Sequence, residues 1–189
     1  LRLRDDERRI SNTTLVFDPD GKQVARYDKI HLFDADVEDG TAYRESGTIR
    51  PGDSVVAFNM GGGRIGLSIC YDVRFPALYQ ALRDQGADLV VVPSAFTVPT
   101  GQAHWKPLLR ARAIENQVYI IAPAQGGSHP GGRQTWGHSL CIDPWGEVIA
   151  ELQDQPGIIY CPFNADKLSR IRTQMPVTSH RRPGVTGGH

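Results

Sequence analysis

The stretch that decides the fold runs from Arg64 to Ala122: RIGLSIC (64–70), YDVRFPALYQALRDQG (71–86), ADLVVVPSAF (87–96), TVPTGQAHWKPLLRARAIEN (97–116) and QVYIIA (117–122). Residues 64–69 read as a strand that stops at Cys70. Residues 76–85 place Leu78, Tyr79, Ala81 and Leu82 on one helical stripe, and Gly86 ends that helix. Residues 87–92 form a Val-rich run closed by Pro93, which suits a strand buried on both faces. Residues 102–116 read as a second helix with Trp105, Leu108, Leu109, Ala113 and Ile114 as its apolar side. Pro107 is tolerable there only near a first turn. Residues 117–122 are another buried strand. Strand, helix, strand, helix, strand is α/β organisation, and in such sheets chemistry collects at the strand ends.

Outward from this block, residues 12–17 and 23–27 read as a hairpin around Asp18-Pro19-Asp20-Gly21. Residues 30–33 are a short apolar segment. Residues 34–53 are acidic, contain Gly and lack periodicity, so they read as a long loop of the functional or mobile kind. Gly61-Gly62-Gly63 precedes a strand and not a helix, so it reads as an ordinary turn rather than a phosphate cradle. On the other side, residues 137–142, 147–152 and 158–163 read as an antiparallel meander turning at Asp143-Pro144-Trp145-Gly146 and at 154–157. The Gly/Pro-rich loop 126–132 reads as a mobile connection. Residues 166–174 read as a short helix capped by Asn164. Residues 175–189 read as an extended tail. No repeat or linker is visible, so residues 1–189 read as a single domain.

Composition limits the function classes. A chain of 189 residues, 40% hydrophobic and 22% charged, is globular in character, and one this long can bury roughly 70% of its unfolded surface. Lys+Arg and Asp+Glu both number 21, so nothing in the charge favours nucleic acid or an anionic membrane as partner. No run of 18 apolar residues exists to span a bilayer, and the densely charged residues 1–9 are not a secretory signal. Three cysteines without a close pair point away from a disulfide framework and suit a reducing cytoplasm.

Cys70 stands where a strand stops and a helix is about to begin. Backbone N–H groups on such a turn point outward, and they can lower a thiol pKa and hold an oxyanion. The same residue also reads as a small buried hydrophobe, as most free cysteines are. Cys141 and Cys161 lie in expected strands and read as buried. Lys29 at a strand end reads as a solvated edge residue unless it stands beside a nucleophile. Glu45 alone reads as a surface acid in the long loop. The six histidines show no metal-ligand spacing, so no zinc site is expected.

Taken together, the motifs say more. Tyr27-Asp28-Lys29-Ile30-His31-Leu32-Phe33 resembles the lysine motif of the nitrilase, or carbon–nitrogen hydrolase, superfamily. Gly66-Leu67-Ser68-Ile69-Cys70-Tyr71-Asp72-Val73-Arg74-Phe75-Pro76 resembles its cysteine motif, and Lys29 and Cys70 are 41 positions apart, which suits that family. Pro93-Ser94-Ala95-Phe96, Gly101-Gln102-Ala103-His104-Trp105, the segment 110–116, Trp136-Gly137-His138-Ser139 and Asp143-Pro144-Trp145-Gly146 also match, in order. The resemblance implies an α-β-β-α sandwich that hydrolyses a non-peptide C–N bond through a thioester. Cys70 would be the nucleophile. Lys29 would hold the tetrahedral oxyanion with the backbone N–H of Tyr71. Glu45 would position Lys29 and the substrate. The chemistry fits these roles: an amide carbonyl is a poor electrophile, so attack needs a thiolate and a waiting positive charge.

One departure from the family pattern stands out. The family's general-base glutamate belongs to an N-terminal third that would precede Leu1 as two βα units of about 30 or more residues each. Glu7, Glu38 and Glu45 are the glutamates ahead of Cys70, and none occupies the base position. A piece of a longer protein is the favoured explanation; internal numbering and a catalytically incomplete protein are the others.

Arg74-Phe75-Pro76, the loop 34–45 and Gln125-Gly126-Gly127 resemble the omega-amidase and deaminated-glutathione amidase branch. That implies a small amide bearing a carboxylate. Arg74 could clamp the carboxylate bidentately or pair internally with Asp72 or Glu45. Tyr43, Phe96, Thr97 and His104 are expected as pocket walls, and Trp105 as helix core. The rival readings are an N-carbamoyl-amine hydrolase or nitrilase of the same superfamily, and a non-catalytic binding or scaffold protein of the same fold. No cofactor is implied. The helices at 76–85 and 102–116 carry apolar residues beyond one stripe, so a homodimer or higher homo-oligomer is expected, with the tail reaching the partner.

Overall fold

The computed structural model describes residues 2–3, 9–37, 40 and 42–182. Strands β1 (Arg2–Leu3) and β2 (Ile10–Ser11) pair antiparallel. β3 (Thr13–Phe17) and β4 (Gln23–Asp28) form the expected hairpin. Its turn is built by Asp18, whose Oδ1 accepts from the N–H groups of Asp20 (3.0 Å) and Lys22 (2.8 Å). Gly21 takes the left-handed conformation (φ 79°) that closes it.

The segment 34–53 is not a structureless loop. β5 (Asp34–Asp36) and β6 (Ala42–Arg44) pair antiparallel, and a 3-10 turn at Glu45–Gly47 follows. Strands of three residues are too short to show a period of two, which is why the sequence reads as a loop there. The Asp34 carboxylate accepts from Ser46 N–H at 3.0 Å and ties the turn to the hairpin.

β7 (Ala57–Met60), absent from the sequence reading, pairs with β8 (Gly63–Leu67). The link is two glycines with positive φ, Gly61 (62°) and Gly62 (80°), the geometry a two-residue hairpin turn demands. Beyond β8 the expected alternation follows: α1 (Pro76–Asp84), β9 (Leu89–Val91), α2 (Val98–Asn116) and β10 (Tyr119–Ala122). Gly86 (φ 88°) ends α1 as expected. α2 starts four residues before the expected point, because Pro99 sits in the first turn, where a missing N–H costs nothing. Pro107 therefore lies well inside the helix, against expectation. Pro107 and Ala103, whose carbonyl loses its partner, are both exposed, so water can replace the lost hydrogen bond.

β11 (Gly126–Ser128) and β12 (Gln134–Trp136) make a hairpin where a mobile connection was expected. β13 (Leu140–Ile142) and β14 (Val148–Glu151) are the first two strands of the expected meander. The third, at 158–163, is not a strand. Ile158 and Tyr160 are 79% and 86% exposed there, and Pro162 lacks the N–H that a ladder needs. α3 (Ala165–Gln174) is capped by Asn164, whose Oδ1 accepts from Lys167 N–H at 2.8 Å. The expected extended tail instead turns back over residues 177–180, and Arg181 reaches Asp84 at 2.6 Å. The rest of that tail, 183–189, lies outside the described residues, and with it the reach toward a partner.

β8, β9 and β10 are mutually parallel at the centre of a six-stranded sheet of order β14-β13-β10-β9-β8-β7. α1 and α2 cover one face through Leu78, Leu82, Trp105 and Leu109, packed on Val90, Ile120 and Ile142. The opposite face carries Leu67 and Ile69 against Tyr27, Val16 and Ala25 of the β3–β4 hairpin. The layers thus run helix, sheet, hairpin, in the order expected of an α-β-β-α sandwich. The apolar residues Leu78, Tyr79 and Leu82 of α1 are all buried, so this helix offers no spare apolar face. The large exposed apolar side chains include Ile114, Trp145, Ile158 and Tyr160.

Candidate active site

After β8 the chain runs on beside the continuation of β9: Ser68 N–H donates to the Val91 carbonyl (3.2 Å) and Cys70 N–H to that of Pro93 (3.0 Å). There it breaks into a 3-10 turn, Cys70–Arg74. Cys70 itself has φ 50°, a left-handed conformation that costs a non-glycine residue roughly 1 kcal/mol or more. The surroundings hold it there. The Asp72 carboxylate, fully buried, accepts from Tyr27 OH (2.7 Å) and Ile69 N–H (2.9 Å) on one oxygen. On the other it meets His31 N–H (3.0 Å) and His31 Nδ1 (2.8 Å). Burial and the Asp72 charge push the Tyr27 hydroxyl pKa up, which keeps it a donor. One carboxylate thus joins the segment around Lys29 to the turn that carries Cys70. The His31 ring completes the junction, stacked on Phe75 at 3.6 Å.

Lys29 is not a solvated edge residue: it is 2% exposed. Its backbone is held on both sides, with N–H donating to Asn12 (2.8 Å) and its carbonyl accepting from Gly52 (2.8 Å). Its Nζ pairs with Glu45 Oε2. Glu45 Oε2 also accepts from Phe33 N–H (2.6 Å), and Oε1 from Asn12 Nδ2 (3.4 Å). Glu45 is therefore the end of a preformed ion pair and not a free surface acid. A cavity of about 580 Å³ is lined by Cys70, Lys29, Glu45, Tyr43, Gln125 and Arg133, among others. Glu7 and Glu38 lie outside the described residues.

The thiol pKa of Cys70 is raised, against the lowering that the turn alone leads one to expect. Burial is the largest cause. The Ala95 N–H and the Lys29 charge pull it down, while the Glu45 and Asp72 charges push it up. A raised pKa keeps the proton on at neutral pH. The rate of Cys70 alkylation by iodoacetamide should therefore still be climbing above pH 8.5, about the ordinary thiol midpoint. A rate that levels off by pH 7 would contradict this. The other two cysteines differ from each other. Cys141 is buried, and burial and a hydrogen bond with Cys161 push its thiol up to about 12. Cys161 lies outside any strand and is half-buried, contrary to the reading of it as a strand residue.

The remaining expected residues divide. Tyr71 follows Cys70 in the turn, and its ring packs against Phe33 (4.9 Å) and Phe75 (5.3 Å). Arg74 pairs with neither Asp72 nor Glu45. Its guanidinium lies over the rings of Tyr71 (5.7 Å) and Phe96 (5.6 Å), within 3.3 Å of His104 Nδ1. A second, smaller cavity meets the first at Phe33, Cys70 and Ala95, and Tyr71, Arg74, Phe96 and Thr97 line it. Phe96 and Thr97 are otherwise buried, the former against Trp105, which is core as expected. Tyr43 lines the larger cavity. His104 lines neither; it is exposed on α2 and touches the site only through Arg74. The sequence reading missed Ala95, whose N–H faces the thiol, and Gln125 and Arg133. The signal for Arg133 was hidden among the turn residues of the β11–β12 hairpin.

The family model described as Carbon-nitrogen hydrolase matches residues 2–173. A deaminated glutathione amidase of Yersinia enterocolitica is 49% identical over 174 residues, covering 92% of this chain and 61% of the relative. Omega-amidase NIT2 of Homo sapiens is 43% identical over 178 residues, covering 94% and 64%. The crystal structure of the C. elegans NitFhit protein superposes with a TM-score of 0.89 at 43% identity, covering 96% of this chain and 44% of that one. The chain spans about three fifths of the length of the two curated relatives.

Proposed function

The chain belongs to the carbon–nitrogen hydrolase family, and from that premise we propose that it carries the nucleophile and oxyanion parts of an amidase acting on a small carboxylate-bearing amide, of the deaminated-glutathione or omega-amidase type. The observation that carries this reading is that Cys70, Lys29 and Glu45 open onto one cavity, with Lys29 already fixed by Glu45. The Cys70 sulfur attacks the amide carbon. Lys29 Nζ and the Tyr71 N–H take the charge that develops on oxygen. The C–N bond breaks, the amine leaves with a proton, and an acyl thioester remains for water to cleave. Glu45 orients Lys29. Both its oxygens are engaged, so the thiol proton passes to another base. Arg74 binds the acyl carboxylate, since its guanidinium has no carboxylate partner among the described residues, and Tyr43, Phe96 and Thr97 shape the pocket.

The test is trapping. Mixed with 2-oxoglutaramate and quenched in acid, the protein should gain the mass of one acyl group, on the peptide containing Cys70. An unmodified Cys70 peptide at saturating amide would end the reading and leave a binding protein of the same fold. The partner of this chain is proposed to be a second copy, supported by Trp145 and Tyr160, 62% and 86% exposed. Among the described residues no helix is long and apolar enough to cross a membrane.

A further inference from the structure

The turn that carries Cys70 contains a carbonyl that the sequence deprives of its usual partner. In a 3-10 turn each carbonyl accepts from the N–H three residues on. For Val73 that residue is Pro76, which has no N–H to give. Val73 is fully buried, so its carbonyl needs a partner from elsewhere in the protein. Arg112 is that partner. It reaches across from α2 with its side chain almost wholly buried, and its Nε donates to the Val73 carbonyl at 2.8 Å. Its Nη1 donates at 2.7 Å to Oε1 of Glu115, which lies one turn further along the helix and is 38% exposed. The guanidinium also lies 5.6 Å from the centre of the Tyr79 ring, within the range of a cation–π contact. The single hydroxyl hydrogen of Ser68 goes to the Val91 carbonyl (2.9 Å), so the Tyr79 O–H donates to Ser68 Oγ (2.9 Å). Arg112 thus bears on the chain on both sides of Cys70, directly at Val73 and through Tyr79 at Ser68.

The turn has a strained residue to hold. Cys70 keeps a left-handed backbone (φ 50°), and the turn's own bonds include only short ones, Asp72 N–H to the Ile69 carbonyl (3.1 Å) and Phe75 N–H to that of Asp72 (3.0 Å). The Asp72 carboxylate ties the turn to Tyr27 and His31 on the hairpin side. Arg112 ties it to the helical side. A buried charged pair could serve merely to dock α2 on the sheet, but apolar side chains of similar volume do that at no loss of stability. The guanidinium is instead aimed at the one carbonyl of the turn that Pro76 leaves unserved. We propose that Arg112 is a positioning residue: it holds the Cys70 turn in the shape that aims the sulfur at the amide carbon, and Glu115 holds Arg112. This deepens the thioester reading above and rests on it.

The experiment follows the rate at which 2-oxoglutaramate acylates Cys70, by acid quench and mass spectrometry, at a temperature where circular dichroism shows each variant folded. In Arg112→Met the maximal rate should fall by about tenfold or more, the scale of a small misplacement of a reacting group. The half-saturating amide concentration should change much less. Arg112→Lys keeps the charge without the fork, so it cannot serve Val73 and Glu115 together, and it should recover part of the rate while staying slower than the unaltered protein by about threefold. Leu108→Ala, which removes core packing one turn earlier on α2, is the control for lost stability and should acylate at the unaltered rate. Unaltered acylation by Arg112→Met, a loss carried by the half-saturating concentration alone, or a Leu108→Ala protein slowed as much as Arg112→Met overturns the proposal. If Arg112→Met does not fold, Arg112→Lys decides: a slowed rate in it supports the proposal and the unaltered rate overturns it. Cys70 left unacylated in the unaltered protein sinks the thioester reading itself, and this inference with it.

Discussion

Cys70→Ala is expected to fold normally and to lose amide turnover by on the order of 10⁴-fold or more, the scale seen when a covalent nucleophile is removed. The side chain packs against both core clusters as well as lining the cavity, but the change removes only the sulfur, so the thermal midpoint should move by only a few degrees. The backbone supplies a second comparison. Since Cys70 has φ 50°, Cys70→Gly should be more stable than Cys70→Ala by about 1 kcal/mol, because glycine adopts this conformation without the Cβ clash. Circular dichroism melts of the two variants measure the difference. If Cys70→Ala retained turnover within tenfold of the unaltered protein, the thioester route would be wrong.

Loss of the Lys29 charge is expected to have the next largest effect. A fixed cation at the developing oxyanion is worth about 3 kcal/mol or more, roughly two to three powers of ten in kcat. Lys29→Ala would also leave the Glu45 carboxylate without its cation, and breaking such a pair from one side destabilises strongly. Lys29→Met leaves Glu45 equally unpaired but keeps the packing of the stem, so it is the better-folding variant of the two. In it kcat should fall by at least a hundredfold while KM changes much less. Near-normal kcat in a folded Lys29→Met protein would take the oxyanion role away from this residue.

The central block was legible because each element carries its own punctuation. Gly86 closes α1, Pro93 closes β9, and the runs between alternate between helical and strand patterns. Reading failed where a signal was local but its meaning was not. Pro99 and Pro107 both look like breakers, yet one starts α2 and the other lies inside it on the solvent side. Residues 158–163 have the composition of a strand, but Pro162 cannot donate and no ladder forms. The strands β5, β6, β11 and β12 have three residues each, too few for alternation to show. At the site, the motif residues Cys70, Lys29 and Glu45 could be named from sequence. Their relation could not, since the pairing of Lys29 with Glu45 and the direction of the thiol shift both depend on what lies across the cavity. Asp72 explains why Arg74 lacks the internal partner that sequence suggested: both of its oxygens are occupied by Tyr27, His31 and Ile69.

The same Asp72 junction also bears on mechanical tolerance. Two loops that are distant along the chain share one rivet, so a shift in the backbone beside Lys29 is passed to the turn that carries Cys70. The hairpins β5–β6 and β11–β12, which border the cavity, take no part in this junction and can change without loosening it.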